Sequence, residues 1–433
     1  MLPRVRIHRV TLLGTVLVAA LALVALTSAA APAQIEINHL AYTSHGEAQH
    51  NWIRSMAQAY EAQRPNVKVN VIIGNQEQFA VMVAGGAPPE VVDLPTLDMG
   101  TYIANNFFAD LRPFLERDGL LREYSPIVLE QLRQPDGGLF ALPKNINVVI
   151  TFFNVNMFNE GGVPTPIELG EGWTWESALD SARKLTVEKN GDGTPDQFGM
   201  DRSYAGWEWA VHQAGGRFYD DLITPTRSLW NSPEVRTAIE WVNSIHQAGV
   251  TPRWQVPNWQ SLYFWLNGTA IDIVDQPPII GAYLTNVSFD WDMALQPKGP
   301  YSRATRTSIG GWMVPKGVAN LPEVWEWLKF ISNEENTARM VRESTLVPAR
   351  TSLQPLYVEL VGIEDKNWQV IFTNPEAPNG YPGYFVDNRL NPRSFNGPIT
   401  QIFSGAVPVQ AWLEETHRQT QAIIDEINAG RSN

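Results

Sequence analysis

IEINHLAYTSHGEAQHNWIRSMAQAYEAQRPNVKVNVIIGNQEQFAVMVAGGAPPEVVDL, residues 35–94, decides the fold. Ile35 to Leu40 reads as a strand that ends in the loop Thr43-Ser44-His45-Gly46. Ser44 followed by Glu47 is a capping-box pattern that opens a helix. Trp52, Met56, Ala59 and Tyr60 mark one face of that helix, which stops before Pro65. Val67, Val69, Val71 and Ile73 alternate as a second strand. A short helix over Gln76–Ala84 ends at Gly85-Gly86 and leads into a third strand, Glu90–Leu94. Strand and helix alternate, so the expected structure is a largely parallel sheet covered on both faces.

The same grammar continues downstream. Leu139 to Phe153 is strand-rich. Thr174 caps a helix whose buried stripe is Ala178, Leu179, Ala182 and Leu185. Ser232-Pro233-Glu234 starts another, with Val235, Ile239, Val242 and Ile245 on its apolar face and Gly249 at its end. Thr269–Val274 reads as a strand, and Leu321–Ile331 and Val409–Ile427 as helices. No internal repeat or low-complexity segment interrupts the pattern.

Upstream of residue 34 the composition changes. Arg4, Arg6 and Arg9 precede an apolar run from Val10 to Leu26, and Ala31-Pro32-Ala33 has the small-x-small form of a cleavage site. The expectation is a secretory signal peptide cleaved near Ala33. The roughly 400 residues that follow exceed what one core normally serves, which predicts two domains. The chain contains no cysteine. Disulfides, cysteine metal sites and a lipid-modified N-terminal cysteine are thereby excluded, and a free periplasmic protein fits best. A net charge of −13, more acidic still without the three leader arginines, disfavours nucleic acid and anionic membrane as partners. The composition is otherwise ordinary apart from sixteen tryptophans.

Four stretches, taken in order, resemble the family 1 extracellular solute-binding proteins of ABC importers, which include the maltose-binding type. They are Gln78-Phe79 through Ala84-Gly85-Gly86-Ala87-Pro88-Pro89-Glu90-Val91-Val92-Asp93-Leu94; Gly138-Leu139-Phe140-Ala141-Leu142-Pro143 with Phe152-Phe153-Asn154-Val155-Asn156-Met157-Phe158; Gly172-Trp173-Thr174-Trp175-Glu176 with Ala182-Arg183-Lys184-Leu185-Thr186; and Gly310-Gly311-Trp312 with Val314-Pro315-Lys316-Gly317. The resemblance implies the type II periplasmic-binding-protein fold: two α/β lobes, each a mostly parallel sheet flanked by helices, joined by a hinge the chain crosses about three times. The lobes are expected near 34–148 plus 269–314 and 149–268 plus 315–433. It also implies a monomer that closes its cleft on a sugar of oligosaccharide size and hands it to ABC permease subunits, without catalysis.

A sugar needs flat rings against its C–H faces and amides, carboxylates or guanidinium groups around its hydroxyl rim. In doubly wound lobes such groups lie at the carboxyl ends of strands. Trp312, after Gly310-Gly311, is the first candidate, read as a ring at a turn between strands. Tyr204, Trp207 and Trp209 form a second aromatic group, and Trp259 with Phe264 a third. Trp173, Trp175, Trp241, Trp325 and Trp327 sit at helix starts or on buried stripes and read as structural. The family pattern implies ligand contacts at Glu47, Asp98, Asn147, Asp275 and Arg350. Asp275-Gln276-Pro277 departs from the common Gly-Pro-Trp-like turn. The candidate loops show no basic cluster, an argument against a phosphorylated ligand.

Glu188, Asn190, Asp192, Gly193, Thr194 and Asp196 match positions 1, 3, 5, 6, 7 and 9 of an EF-hand-like loop. Position 12 is Gly199 instead of a bidentate acid. A structural calcium is the one cofactor the sequence suggests, against the alternative of a plain polar turn. No zinc-protease helix, nucleophile elbow or phosphate loop is present. The remaining enzyme reading is a secreted glycoside hydrolase, which requires two carboxylates facing each other across a cleft.

Overall fold

The computed structural model describes residues 34–201, 207–252, 264, 268–273, 276–372, 384–395 and 397–431. The opening stretch folds as its pattern predicts. Strand β1 (Ile35–Tyr42) pairs in parallel with β2 (Val67–Gly74) and β3 (Val91–Asp93). Helix α1 (Gly46–Gln63) connects β1 to β2 and buries Trp52, Ile53, Met56 and Tyr60. Helix α2 (Gln76–Ala84) connects β2 to β3, and its cap is Asn75, whose side chain accepts from the Gln78 N–H at 3.0 Å. The expected Ser44–Glu47 capping box does not form. Thr43–His45 make a 3-10 turn, Gly46 takes φ +81°, and no side chain caps α1.

Three further strands, β4 (Ala141–Val148), β8 (Thr307–Met313) and β9 (Val347–Pro348), complete this sheet in the order β2-β1-β3-β8-β4-β9. Strand β4 carries the chain out of the first lobe, and β8 brings it back, so the two run antiparallel. The two-residue β9 closes the edge, also antiparallel to β4. A second sheet holds β5 (Thr151–Asn154) between β6 (Ile271–Asp272) and β7 (Trp291–Ala294), both antiparallel to it. The parallel character expected of both sheets is therefore confined to one half of the first.

The helices predicted downstream form as read. Helix α3 (Trp175–Leu185) has a capping box between Thr174 and Ser177. Ser232 caps α4 (Pro233–Gln247) through the Val235 N–H. Helices α5 (Leu321–Ser332) and α6 (Glu334–Ser344) follow β8, and α7 (Val409–Arg431) ends the described chain. Among the described residues no helix is long and apolar enough to cross a membrane.

Two main cores define two lobes, and they divide the chain differently from the expected boundaries. Val324, Trp325, Trp327, Leu328 and Ile331 of α5 pack with β1, β3 and β8 in the first core. Ile271, Ile273 and Ala294 pack instead with α3 and α4 in the second, which also takes Phe395, Ile402, Trp412 and Leu413. The reason is topological. Once β8 has re-entered the first sheet, the apolar stripe of α5 finds its nearest uncovered surface there. The crossing itself is stitched by Val149 N–H donating to the Arg306 carbonyl at 3.0 Å and by Thr305 Oγ1 donating to the Val149 carbonyl at 2.7 Å.

Candidate functional site

Between the lobes lies a cavity of about 310 Å³, near the lower end of volumes typical of small-molecule sites. Its floor is made where strands of the first sheet end, the place open α/β sheets reserve for ligands. Tyr42 closes β1, and Ser44, His45 and Gln49 follow it. Asp93 closes β3, with Leu94, Pro95 and Leu97 after it. Lys144, Asn145 and Asn147 come from β4, and Arg306, Ser308 and Gly310 from β8 or its approach. Adjacent strand residues normally face opposite sides. Here the β4–β8 register shifts between Pro143 and Asn145, and Lys144 and Asn145 both reach the cavity.

The second lobe supplies the opposite wall. Arg393 stands between Leu390 and Phe395, both members of the second core. Arg306 is anchored there too: its Nη1 donates to Glu208 Oε1 at 2.9 Å, and Glu208 is fully buried. Gly310 has a steric reason for its identity. A Cβ there would lie 2.2 Å from Asn145 Oδ1, displacing the amide whose Nδ2 donates to Asn147 Oδ1 at 3.0 Å.

A buried charge pair organises the floor. Lys144 Nζ lies 2.6 Å from Asp93 Oδ1, with 1% of the lysine side chain and 8% of the aspartate exposed. Burial pushes the Asp93 carboxyl up, but the Lys144 ammonium, with His45 and His39 nearby, outweighs it and holds the group below its ordinary value. His45 Nδ1 is 3.8 Å from Asp93 Oδ2, and the ring packs edge-on to Tyr42. Burial, then the Lys144 charge, lowers the His45 pKa to about 3. His39, beneath it, is lowered to about 4, chiefly by burial. Trp327 Nε1 donates to His39 Nδ1 at 3.1 Å, which leaves the ring proton on Nε2. The floor therefore carries one satisfied ion pair and neutral imidazoles at physiological pH.

The candidates from sequence distribute unevenly around this cavity. Asn147 lines it. Asp98 stands one residue beyond the lining Leu97, where its Oδ2 accepts from Gln76 Nε2 at 2.7 Å. Trp312 is not at a turn. It lies within β8 at 1% exposure, in the first core, stacked on Trp52 at 6.4 Å with Lys144 Nζ 5.9 Å over its ring. Gly310-Gly311 continue the strand against β4 instead of breaking it. Trp207 and Trp209 are each 1% exposed in the second core, against Trp230 and Trp241 respectively. Glu47 is solvent-exposed and faces Arg54 at 3.6 Å. Arg350 is buried in an ion pair with Glu123 and bonds the Ser332 carbonyl, away from the cavity. Tyr204, Trp259 and Asp275 lie outside the described residues.

The tryptophans read as structural are so placed. Trp173 and Trp175 hydrogen-bond the Leu295 carbonyl and Gln213, and Trp325 bonds Asp118. Sequence reasoning missed Tyr42, His45, Asp93, Lys144, Arg306 and Arg393. Tyr42 and Asp93 were within reach of the strand-end rule. A lysine inside an apolar strand, as at Lys144, also signals a buried partner.

The EF-hand-like loop closes on itself. Asp196 accepts from Lys189 N–H at 2.6 Å and from Asn190 Nδ2 at 2.9 Å, and Asp192 accepts from Thr194 N–H at 2.7 Å. Among the described residues, no group of three or more His, Cys, Asp and Glu is placed to hold a metal. Gly199, where the motif wants an acid, packs directly on α3. A Cβ there would sit 1.8 Å from the Ala182 carbonyl oxygen.

Two lobes with separate cores, a polar cavity between them and a chain that crosses back and forth define a hinged solute-binding protein. Residues 46–338 match the family model described as bacterial extracellular solute-binding protein, and the chain belongs to that family. Solved structures share the fold across nearly the whole molecule. An ABC substrate-binding protein from Listeria monocytogenes, solved in complex with cycloalternan, is similar at 19% identity and TM-score 0.74, over 92% of this chain and 99% of that one. A receptor from Streptomyces glaucescens, solved unliganded and with acarbose, is similar at 17% identity and TM-score 0.71, over 90% and 99%. A maltose/maltodextrin-binding domain from Bdellovibrio bacteriovorus bound to maltotriose is similar at 16% identity and TM-score 0.69, over 92% and 100%.

Proposed function

We propose that this chain is the substrate-binding component of an ABC importer and that it captures a sugar, of oligosaccharide size, in the interlobe cavity. The observation that carries the reading is the cavity itself, lined by amides, hydroxyls and charged groups drawn from both lobes. Tyr42 offers a ring to a C–H face of the sugar, while Ser44, Asn145, Asn147, Ser308 and Gln276 address hydroxyls. Relatives of the same fold solved with cycloalternan, acarbose and maltotriose support the carbohydrate class. Closure on the sugar, then recognition by membrane permease subunits, follows from a ligand that binds one lobe arrangement better than the other.

The protein acts without turning its ligand over. Among the described residues Asp93 is the one carboxylate that lines the cavity, and Lys144 already holds it. Hydrolysis would require a second acid facing the first. The chain works as a periplasmic monomer released from its leader near Ala33. Mass spectrometry of the exported protein starting at Gln34 tests the cleavage. Isothermal titration of the mature protein against a panel of neutral oligosaccharides tests the function. The reading expects a saturable heat at one site per chain and recovery of the sugar intact. Appearance of new reducing ends would install the hydrolase in its place.

A further inference from the structure

The cavity is cationic inside an acidic protein. The chain as a whole has net charge −13. Yet the described lining contributes three permanent cations, Lys144, Arg306 and Arg393, against the single acid Asp93. Lys144 and Asp93 neutralise each other. Among the described residues Arg306 meets Glu208 through Nη1, and its buried Nε has no hydrogen-bond partner. Arg393 is exposed on the opposite wall; its backbone N–H bonds Asn391 Oδ1, and among the described residues its guanidinium makes no ion pair or hydrogen bond. No single loop announces this arrangement. The three cations lie far apart in sequence and meet only when the lobes do.

The physical consequence concerns closure. A cleft that shuts around a ligand strips water from the Arg393 guanidinium and from the open edge of Arg306. A neutral sugar returns hydrogen bonds to these groups but no charge, and desolvating Arg393, which has no ion-pair partner among the described residues, is costly. An oxyanion restores both, because a guanidinium fork matches carboxylate and phosphate geometry with two parallel N–H donors. We propose, building on the sugar-capture reading above, that the cleft selects a sugar bearing an oxyanion, a carboxylate or a phosphoryl group, held between Arg393 of the second lobe and Arg306 at the hinge. Tyr42 and the β4 amides then take the neutral part of the same molecule.

The test compares matched probes on the full mature chain by calorimetry: a glucuronate-terminated disaccharide against its neutral glucose counterpart, and glucose 6-phosphate against glucose. The anionic member of at least one pair is expected to bind roughly tenfold or more tighter than its neutral twin. That preference should shrink as salt rises from about 50 mM to about 500 mM. Whichever pair shows it names the oxyanion. Arg393→Gln should abolish the preference without changing the melting temperature, since the side chain is exposed. Arg306→Gln paired with Glu208→Gln removes the second contact without stranding a buried carboxylate. If neutral sugars bind as well as or better than their anionic twins, the oxyanion proposal is wrong and sugar capture stands. If neither member of either pair binds, and the neutral oligosaccharide panel is also silent, both readings fall.

Discussion

Breaking the Asp93–Lys144 pair from one side should be far more damaging than removing it whole. At 2.6 Å and an effective dielectric near 20, two unit charges attract by roughly 6 kcal/mol. Desolvating them at a site this buried consumes most of that gain, so the pair roughly balances a well-packed apolar substitute. Lys144→Met leaves Asp93 buried, charged and without its partner, at a cost of about 3–5 kcal/mol. Asp93→Asn leaves the Lys144 ammonium against the Trp312 ring and the neutral His45, with a cost of similar size. The double variant, with neither charge, should lose only about 1–2 kcal/mol, so the cycle yields a coupling of at least about 3 kcal/mol. Urea unfolding of the four proteins, followed by tryptophan fluorescence, measures all the terms. Single variants within about 1 kcal/mol of the parent, or costs that simply add, would refute the buried-pair argument.

Trp312→Ala removes a ring from the first core and should cost about 3–5 kcal/mol of stability. Calorimetric melting checks this, and unchanged melting with lost sugar affinity would return the ring to the cleft. Stability should also fall as the solution is acidified from pH 7 to pH 4. His39 and His212 are held down to about 4 by burial, below the unfolded value near 6.5. In that window the unfolded chain binds more protons, so each contributes on the order of 3 kcal/mol of loss by pH 4, read from urea midpoints across pH. Gly199→Ala forces a methyl onto the Ala182 carbonyl and should cost about 1–3 kcal/mol in the same unfolding assay. Calcium at the neighbouring loop is tested by melting with excess chelator. Because Asp192 and Asp196 already accept from N–H groups of the loop, the shift is expected to stay below about 2 °C, and a larger fall would assign the loop an ion.

Local signals made much of the architecture legible. The β1-α1-β2-α2-β3 run has clean periodicities, and Thr174 and Ser232 cap the helices they were expected to cap. The lobe boundaries were less accessible, because α5 joins the first core through the path of β8, a long-range fact with no local mark. The site was read through the wrong residue type. Tryptophans look like sugar platforms, but Trp207, Trp209 and Trp312 fill cores. The cavity is instead built from strand-end polar groups such as Tyr42 and Asp93, and from Lys144, Arg306 and Arg393, which only folding brings together.

The central claim is that ligand binds between the lobes at the strand ends. Amide hydrogen exchange of the mature protein, with and without the sugar that binds it most tightly, tests this most directly. The account predicts new protection at residues 42–49, 93–97, 144–147 and 306–310, the segments that line the cavity. Protection confined to the surface hollow formed by Pro166, Ile167, Trp173, Leu295 and Val370, with those segments unchanged, would contradict it.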